Sequence, residues 1–533
     1  MLFTHFSSEQ FTPLILSGII LICSVIFFKK RSNLGIGLLF IGTLCLGYFI
    51  ANLDPFLHIW DEQYHALVAK NLAENFLKPL LYSDPVLDYN YKHWPGNHVW
   101  LHKQPLFLWQ IAVSIKLFGT TEFAVRFPSI IMHAIIPLFI YRIGKIAINK
   151  DVGFYGALLF ATAYFPLELV AGRFSTDHND VAFLFYVTAS FWAWFEYTRT
   201  EHKYWLILIG LFSGCAVLVK WLMGLLIYVI WAFQTTIIKS PRATRIRSYV
   251  SIVLSGLISI VIFLPWQIYA HLNYPKEASY EAELNSRHMF EAVEDHFETT
   301  LYYFTNGLNH IYGSGDLVPF IILLGVILFV INVQNKGHQV FVVSGIVFVY
   351  LFYTFARTKM VSFPIIVAPF VYLGLGYLIY AALARMERAI KVVPIITFIA
   401  IVAPSFVAFT VLNLSKIQNT HTMWKPHDNG NRMGELAEMS FVRSLDQRLK
   451  GDAHVIFNAS ITQDGHISMM YFTDHVVYGF IPNKSEIAQV KSKNRQIAIL
   501  NLGNLPAFIK NDSTIKILDV KDKELLTINP LVH

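Results

Sequence analysis

The sequence predicts a polytopic α-helical membrane protein that ends in a small α/β domain outside the membrane. The first reason is composition: 55% of the 533 residues are hydrophobic and only 14% are charged, less charge than soluble domains usually carry. The second is that apolar stretches of about 20 residues, long enough to cross ~30 Å of hydrocarbon, recur along the chain. The third is a change near residue 413, after which polar and charged residues become frequent.

The apolar stretches define about twelve candidate membrane spans. They are 12–28, 34–53, 127–147, 152–172, 179–198, 204–219, 222–238, 249–268, 317–333, 340–356, 361–384 and 392–412. We expect 12–28 to be a retained span rather than a cleaved signal peptide, because its positive charges, at 29–31, follow the apolar run. The transmembrane domain is thus predicted over 1–412 and the soluble domain over 413–533.

The distribution of Lys and Arg predicts which side each connector faces. Strict alternation of the spans places most basic clusters on the same side as 29–33, and the positive-inside bias makes that side cytoplasmic. These connectors are 148–151, 199–203, 239–247, 335–338 and 385–391. The outer side receives 54–126, 269–316 and the residues after 413. We therefore expect a multi-pass membrane protein whose active region and C-terminal domain face outward. That side is the periplasm if the membrane is the bacterial inner (plasma) membrane, and the lumen in a eukaryote. The net charge of +7 follows from this topology, so nucleic acid is not an expected partner.

The first outer segment contains two amphipathic stretches. From Asp61 to Phe76, apolar residues recur at helical spacing on one face, which is typical of a helix lying in the membrane interface. A second stretch, 104–119, has a proline at its start and is predicted to be interfacial or re-entrant. The adjacent carboxylates Asp61 and Glu62 open the first helix. They fit two interpretations, a helix cap with an acidic first turn or a catalytic pair.

Several cations lie on the outer side, against the topological bias. Lys103 precedes a proline at the water boundary and fits either a snorkelling lysine or a phosphate ligand. Arg126 lies four residues after Glu122, which fits an ion pair along one helix face or a second phosphate ligand. The other outer cations are Lys220, Arg357 and Lys359. Because an outer cation needs a local reason, a bound anion is the better explanation for the group.

The residues after 413 are expected to form a small α/β domain. The stretch 431–450 has the pattern of a helix. Four short apolar runs, 454–460, 469–480, 496–500 and 514–520, are typical of strands.

Six motifs on the outer side resemble those of the GT-C membrane glycosyltransferases, in the branch shared by dolichyl-phosphate-mannose–protein mannosyltransferases and bacterial lipid A aminoarabinose transferases. In family order they are Asp61 and Glu62; Lys103, Pro105 and Leu106; Glu122, Arg126, Pro128 and Ser129; Thr176 and Asp177; Lys220; and Thr358, Lys359, Pro364 and Pro369. The sequence departs from the family at His102, where relatives often carry a carboxylate, and after Lys220, where the usual glycine is absent.

The resemblance implies a GT-C fold and inverting transfer of a sugar from an undecaprenyl- or dolichyl-phosphate donor to an acceptor at the outer face. Asp61 and Glu62 would be the catalytic pair, with Asp61 deprotonating an acceptor hydroxyl or orienting an acceptor phosphate. The expected ligands of the donor phosphate are Lys103, Arg126, Lys220, Arg357 and Lys359. The expected supporting residues are Asp177, Glu122 and His102.

Several alternatives stay open from the sequence. The acceptor is a lipid such as lipid A, a glycan or a protein, and membrane lipids are further expected partners. The resemblance requires no cofactor, but a divalent metal with unknown ligands stays an alternative, since both outer loops carry histidines without a paired-histidine spacing. The rival function is a transporter or flippase of lipid-linked sugars. Such proteins often show repeated halves and ionisable residues near mid-membrane, and we find no internal repeat.

Overall fold

The computed structural model describes residues 8–173, 178–293, 296–313, 315–390, 432–449, 453–461, 464–503 and 505–520. The chain divides into two compact units. The first unit contains Met1–Ile50, Ser129–Ala171 and Asn179–Leu414. The second contains Ala51–Pro128, Gly172–His178 and Ser415–His533. The domain boundary predicted at 412/413 lies outside the described residues.

The chain is mostly helical up to residue 390. The helices are α1 (Ser8–Lys30), α2 (Ser32–Ala51), α3 (Asp61–Glu74), α4 (Pro105–Phe118), α5 (Glu122–Ala147), α6 (Lys150–Ala161), α7 (Tyr164–Val170), α8 (Asp180–Thr200), α9 (Tyr204–Lys220), α10 (Leu226–Ile237), α11 (Arg242–Asn273), α12 (Pro275–Arg287), α13 (Leu308–Tyr312), α14 (Val318–Asn332), α15 (Lys336–Phe355) and α16 (Ala368–Ile390). Short 3-10 turns lie at Trp94–Gly96, Trp221–Leu225 and Phe363–Val367, and a π-helical turn at Tyr303–Gly307.

Seven described helical runs are long and apolar enough to cross a membrane, and the bent pair α6–α7 makes an eighth candidate. The seven are Phe11–Lys30, Ser32–Ala51, Glu122–Ala147, Tyr204–Ile237, Arg242–Asn273, Lys336–Phe355 and Phe363–Arg385. A multi-pass membrane protein is therefore confirmed, while the predicted total of about twelve spans is not. The predicted span 392–412 lies outside the described residues, and α14 has only 15 residues.

The helical run Tyr204–Ile237 reverses direction at Lys220. Ser213 Oγ donates a 2.7 Å hydrogen bond to the Gly224 carbonyl oxygen, eleven residues further on, and a Cβ on Gly224 would lie 2.5 Å from the Val217 nitrogen. In a straight helix such a separation spans about 16 Å, so the chain must fold back along α9. This reversal agrees with the prediction of two spans and puts Lys220 at the turn between them.

Helices of the first unit pack through glycines. A Cβ on Gly156 of α6 would lie 3.0 Å from the Tyr372 carbonyl oxygen of α16, and one on Gly376 would lie 2.5 Å from the Gly156 nitrogen. On the α14 side, a Cβ on Gly374 would lie 2.8 Å from the Val326 nitrogen. Small residues let backbones approach closely, which favours helix association in a bilayer, where apolar burial gives little driving force.

The C-terminal part of the second unit is a small α/β fold. Its elements are α17 (Arg432–Arg448), β1 (Val455–Phe457), α18 (Gly465–Phe472), β2 (Val476–Val477), α19 (Lys484–Ser492), β3 (Ile497–Asn501), α20 (Ala507–Lys510) and β4 (Ile515–Asp519). The strands are parallel in the order β2–β1–β3–β4. Val455 pairs with Val476 and Ile497, and Ile497 pairs with Ile515. This confirms the predicted α/β class.

One strand prediction in this region is wrong. Residues 469–480 were expected to form a strand, but the first four belong to α18 and the strand β2 is only Val476–Val477. The reason is that a short, fully buried apolar run has no periodicity that distinguishes a strand from a buried helix.

The helix α3 is covered by other parts of the chain. It packs against α4 and α18, and its first turns, including the polar residues Gln63 and His65, are buried. Its apolar face is therefore packed against protein and is not left exposed. In α4, Val113 and Leu117 are exposed, as expected for a helix near lipid.

Candidate active site

The acidic pair opens α3, but Asp61 is not the helix cap. Trp60 occupies the N-cap position with a left-handed φ of 64° and makes no capping side-chain hydrogen bond. Asp61 and Glu62 are the first two helical residues, where the helix dipole stabilises negative charge. The cap interpretation is therefore wrong for Asp61. The two carboxylates have different partners.

Glu62 forms a closed ion pair with Arg126. Arg126 Nε donates to Glu62 Oε1 at 2.6 Å and Nη2 donates to Oε2 at 3.1 Å. Nη1 donates to the carbonyl oxygens of Ala51 and Asp54, at 2.8 and 2.7 Å, and Nη2 to that of Phe56 at 2.6 Å. These five bonds use all five N–H groups of the guanidinium. Both side chains are fully buried, so the pair fixes the loop that leads into α3.

The surroundings of Glu62 complete this closed site. Its Oε2 accepts a 2.7 Å hydrogen bond from the His58 backbone N–H. A Cβ on Gly172 would lie 2.5 Å from the Glu62 carboxylate, and the φ of Gly172 is 71°, so both space and backbone require glycine. Burial alone would raise the pKa of Glu62, but the charge and hydrogen bonds of Arg126 hold it below its usual range. Glu62 is therefore an ionised, structural carboxylate.

Arg126 and Glu122 differ from their predicted arrangement. In this conformation Arg126 has no N–H group left for a phosphate, so the geometry favours a supporting role over donor binding. Glu122 pairs with Arg443 at 2.8 Å rather than with Arg126. The predicted ion pair along one helix face is therefore wrong. A partner more than 300 residues away in the sequence leaves no local signal.

Asp61 lies beside Lys103 at the surface of the second unit. The Lys103 Nζ to Asp61 Oδ2 distance is 3.1 Å, and the two side chains are 21% and 7% exposed. Lys103 stands two residues before Pro105, which begins α4. The structure thus brings together the first two predicted motifs, and their ion pair is reachable from solvent, unlike that of Glu62.

Aromatic rings extend from this pair. Trp94 stacks on His102, with centroids 4.3 Å apart and planes at 10°. Trp94 also contacts Tyr64 at 5.1 Å and Trp60 at 6.1 Å. His102, next to Lys103 in the chain, is therefore held by stacking. Aromatic faces with a few polar groups are the usual lining of small-molecule sites.

A second buried network lies close to Glu62 and was missed by the sequence analysis. Arg173 Nε donates to Asp54 Oδ2 at 2.7 Å, and His58 Nε2 lies 3.4 Å from the same oxygen. His65 and His178 approach at 3.0 Å between their Nδ1 atoms. Burial lowers the pKa of His58 to about 3 and that of His178 to about 4. Arg173 was detectable, since it is a further outer cation, whereas Asp54 had no distinguishing pattern.

Asp177 lies outside the described residues. Its neighbours on both sides in the chain, Arg173 and His178, belong to the network just described.

The C-terminal residues contact α3 directly. Tyr64 Oη donates to Asp464 Oδ1 at 3.2 Å, and Lys70 Nζ donates to the Met470 and Thr473 carbonyl oxygens at 3.1 and 2.7 Å. Burial raises the pKa of Asp464 to about 6. Asp464 is thus a carboxyl with a raised pKa that contacts Tyr64, a residue one helical turn after Asp61. No pattern in the sequence distinguishes it.

Three predicted cations belong to the first unit. Lys359 is buried, and its Nζ donates to the carbonyl oxygens of Tyr353, Thr354 and Ala356. These three bonds use all its N–H groups and cap the end of α15. The geometry therefore favours a structural role for Lys359 over phosphate binding.

Lys220 and Arg357 have different surroundings. Lys220 pairs with the buried Asp180, which also accepts from Ser362 Oγ. Lys220 keeps 21% of its side chain exposed. Arg357 is exposed, and its backbone N–H donates to the Met289 carbonyl oxygen at 3.3 Å. Both cations are therefore accessible to an anion.

The described residues contain no cluster of three or more His, Cys, Asp or Glu side chains arranged to hold a metal ion. The histidines singled out in the outer loops have other contacts: His98 stacks on Tyr89, His102 on Trp94, and His288 Nδ1 lies 3.0 Å from Thr358 Oγ1.

Comparison with known proteins agrees with the sequence resemblance. Residues 102–269 match the family model of dolichyl-phosphate-mannose-protein mannosyltransferases. A protein of Proteus mirabilis (strain HI4320), undecaprenyl phosphate-alpha-4-amino-4-deoxy-L-arabinose arabinosyl transferase 2, is 29% identical over 214 residues. An uncharacterized protein of Aquifex aeolicus (strain VF5) is 25% identical over 229 residues. The matched regions cover 39% and 41% of this chain and only 35% and 41% of those relatives.

Solved structures with the same fold cover most of the chain. ArnT from Cupriavidus metallidurans in the apo state superposes with a TM-score of 0.61 at 12% identity, over 87% of this chain and 89% of ArnT. ArnT bound to undecaprenyl phosphate gives 0.59 at 12%, over 86% and 88%. The archaeal oligosaccharyltransferase AglB from Archaeoglobus fulgidus, in complex with an inhibitory peptide and a dolichol-phosphate, gives 0.53 at 13%, over 88% and 69%.

The fold, with its buried acidic-pair helix in the first large loop, is the GT-C fold. The chain is similar to the protein mannosyltransferases over residues 102–269 and to the arabinosyl transferase over 214 residues, so the resemblance found in the sequence is confirmed.

Proposed function

We propose that the protein is an inverting glycosyltransferase that moves a sugar from a polyprenyl-phosphate donor to an acceptor at the outer face of the membrane. The observation that carries the proposal is the Asp61–Lys103 pair, a buried carboxylate 3.1 Å from a partly exposed cation. The family model and the arabinosyl transferase of Proteus mirabilis support this reaction class. So does the undecaprenyl phosphate bound by ArnT.

Lys103 is proposed to bind the donor phosphate. A polyprenyl tail keeps the donor in the bilayer, with its phosphate at headgroup depth, where Lys103 precedes the apolar helix α4. An ammonium group beside the bridging oxygen stabilises the charge that develops on the leaving phosphate. Because Arg126 and Lys359 have all their N–H groups in use, we assign them to supporting the fold instead. Lys220 and Arg357 remain candidate phosphate ligands in the first unit.

Asp61 is proposed to act on the acceptor. The acceptor oxygen attacks the anomeric carbon from the face opposite the phosphate, the bond from that carbon to the phosphate oxygen breaks, and polyprenyl phosphate leaves. With a hydroxyl acceptor, the proton passes to the Asp61 carboxylate. With a phosphate acceptor, which is already anionic, Asp61 orients it instead. A donor phosphate that takes Lys103 as its partner releases Asp61 from their ion pair for this role.

Neighbouring residues are proposed to shape the sugar site. The stacked rings of Trp94 and His102 offer an apolar surface next to Lys103. Glu62 holds the entry to α3 through Arg126, so that Asp61 is positioned by a rigid turn. Preorganised supports of this kind keep a catalytic group in its productive geometry. Asp177 and Glu122 are kept as supporting residues.

The test uses the purified full chain in nanodiscs with radiolabelled undecaprenyl-phosphate sugars and a membrane-lipid extract. Wild-type protein should consume the donor, and the labelled product identifies the acceptor as lipid, glycan or protein. Asp61→Asn should bind donor without consuming it. Tight donor binding without consumption by either protein would instead favour a transporter or flippase of lipid-linked sugars.

A further inference from the structure

A polar cavity of about 350 Å³ lies within the first unit, and none of its lining residues belongs to a motif of the proposed reaction. It forms where α5 and α8 end and α15 begins. The lining side chains used below are Arg142, Lys145, Thr198, Arg199, Asn335 and His338. The adjoining connectors, 148–151, 199–203 and 335–338, are all among those that span alternation predicts to be cytoplasmic. The cavity is therefore expected at headgroup depth on the side opposite to the proposed chemistry.

The cavity has an excess of positive charge. Arg142, Lys145 and Arg199 line it, and the nearby carboxylate is Glu196, which is 3% exposed. Glu196 Oε1 accepts from Arg142 Nε at 2.8 Å, and Oε2 accepts from Arg199 Nε and Nη2 at 3.0 and 2.9 Å. These bonds orient both guanidinium groups but offset only one of three positive charges. Bidentate donors held in this way suit a phosphate.

His338 adds a specific acceptor to this site. It is 6% exposed, and its Nε2 lies 2.8 Å from Thr198 Oγ1. That hydroxyl donates its one proton to the Phe195 carbonyl oxygen at 2.9 Å, so Nε2–H of His338 must be the donor to it. The neutral ring then presents Nδ1 as an acceptor, and among the residues that the structure describes Nδ1 has no hydrogen-bond partner. A buried polar atom of this kind needs a partner with an N–H or O–H group.

The start of α15 adds to the positive electrostatic potential of the cavity. The Asn335 side chain accepts from the backbone N–H groups of Gly337 and His338, at 2.7 and 3.3 Å. The helix start is therefore fixed, and the positive end of its dipole adjoins the arginines.

We propose that this cavity binds the headgroup of an anionic membrane phospholipid of the phosphoglycerol type. The phosphodiester is held by Arg142, Arg199 and Lys145, and a glycerol hydroxyl donates to His338 Nδ1. Basic pockets between membrane helices at headgroup depth are known recognition sites for anionic lipids. The ionised phosphodiester satisfies the cations but has no O–H group to donate to His338, so the headgroup hydroxyl is needed as well.

The charge requirement is tested by native mass spectrometry of the full chain in detergent, titrated with short-chain phosphatidylglycerol. Lys145→Gln/Arg199→Gln keeps the Arg142–Glu196 pair and should weaken binding by about 25-fold, or about fivefold per cation. The matched control is Lys239→Gln/Arg245→Gln, which removes two exposed cations outside the cavity on the same predicted side and should leave the affinity unchanged. Equal weakening in both double variants would overturn the proposal, because it would show only a general surface attraction.

The hydroxyl requirement is tested with phosphatidylethanol, which carries the same phosphodiester charge without a headgroup hydroxyl. Wild-type protein should prefer phosphatidylglycerol several-fold. His338→Leu removes the Nδ1 acceptor and leaves the three cations in place, so it should abolish the preference while retaining anion binding. Equal affinity of wild type for the two lipids would overturn the assignment of His338. Glycerol phosphate without acyl chains that binds as tightly as the lipid would overturn the lipid assignment and identify a soluble phosphate ester.

Discussion

The neighbouring residues Glu62 and Asp61 each form an ion pair, but the two pairs differ in exposure. The Glu62–Arg126 pair is closed, meaning fully buried, whereas the Asp61–Lys103 pair is open, meaning that its cation is partly exposed. Glu62 and Arg126 are both fully buried, and every N–H group of the guanidinium is used. Asp61 is buried, but its partner Lys103 keeps 21% of its side chain exposed, and the two groups approach to 3.1 Å. The first pair has the geometry of a structural clamp. The second has the geometry of a site where a substrate can replace one partner.

The difference follows from helix geometry. Successive residues of an α-helix project about 100° apart, so adjacent side chains at a helix start face different surroundings. Glu62 faces the incoming loop at 51–58 and Gly172, whereas Asp61 faces the segment that leads into α4. An acidic pair in a sequence motif can thus combine one structural and one chemical carboxylate.

The largest expected effect is the loss of turnover when the Asp61 carboxylate is replaced by an amide. Asp61→Asn should lower the turnover of the polyprenyl-phosphate sugar by about 100- to 10,000-fold, the range typical of a lost general base. The melting temperature should stay close to that of wild type, because the substitution is isosteric and the Glu62–Arg126 clamp is untouched. Turnover and thermal melting are measured on the same preparation. Loss of turnover together with a large fall in melting temperature would show that Asp61 is structural.

The next effect comes from breaking the closed pair. Glu62→Gln leaves the Arg126 charge buried without its counter-ion, and removing one partner of such a pair costs about 3–5 kcal/mol. We expect a strongly lowered melting temperature and a low yield of folded protein. The control is Glu62→Gln/Arg126→Met, which removes both charges and should recover part of the stability. A stable Glu62→Gln protein with lost turnover would instead give Glu62 a catalytic role.

Much of this architecture could be predicted from the sequence, since it depends on local pattern. The apolar runs gave most helices of the first unit, and the acidic pair marked the true start of α3. The α/β class of the C-terminal region also followed from one helical run and the strand-like runs after it. The strand expected at 469–480 was missed because its apolar run carried no usable periodicity.

The partners of the charged residues could not be predicted, because they depend on contacts distant in sequence. Arg126, Lys359 and Lys103 all lie at boundaries predicted to be on the outer side, and the sequence alone does not distinguish them from one another. Only three-dimensional contacts show that Arg126 and Lys359 have no N–H group left, while Lys103 is accessible. Glu122 likewise pairs with Arg443, not with a residue on its own helix. A cation predicted on the outer side therefore has a specific partner, but that partner can be a cluster of backbone carbonyl oxygens and need not be a bound anion.

The role of Lys103 in the Asp61–Lys103 pair can be tested by measuring the affinity of the protein for polyprenyl phosphate. Lys103→Gln should weaken binding of polyprenyl phosphate by about tenfold, the effect of one lost charge-assisted hydrogen bond. Asp61→Asn should bind it equally or more tightly, since Lys103 then has no competing carboxylate. Affinity is measured by titration of the full chain in nanodiscs. The control is Lys116→Gln, an exposed lysine at the end of α4, which should not change affinity. Unchanged affinity in Lys103→Gln would remove Lys103 from the donor site.

A third carboxyl, Asp464, extends the comparison because its described hydrogen-bond partner is a hydroxyl, Tyr64 Oη, not a cation. Burial raises its pKa to about 6, above the ordinary value of about 4 that applies in the unfolded chain. Between about pH 4 and pH 6 the folded protein therefore binds more protons than the unfolded chain. The contribution of Asp464 is least unfavourable below this window, and its cost grows as the pH rises through it.

The smallest expected effect is that of Asp464→Asn, which keeps a neutral group at all pH values and suits the left-handed φ of 60° at this position. It should stabilise the protein by about 1–3 kcal/mol at pH 8, where the wild-type carboxylate is ionised, and by little at pH 4. Melting temperatures of both proteins at the two pH values check this. An equal difference at both would mean that Asp464 does not titrate in this range. A lower melting temperature for Asp464→Asn at pH 8 would show that the folded protein stabilises the Asp464 charge. Asp464 would then resemble Glu62, whose charge is stabilised by Arg126.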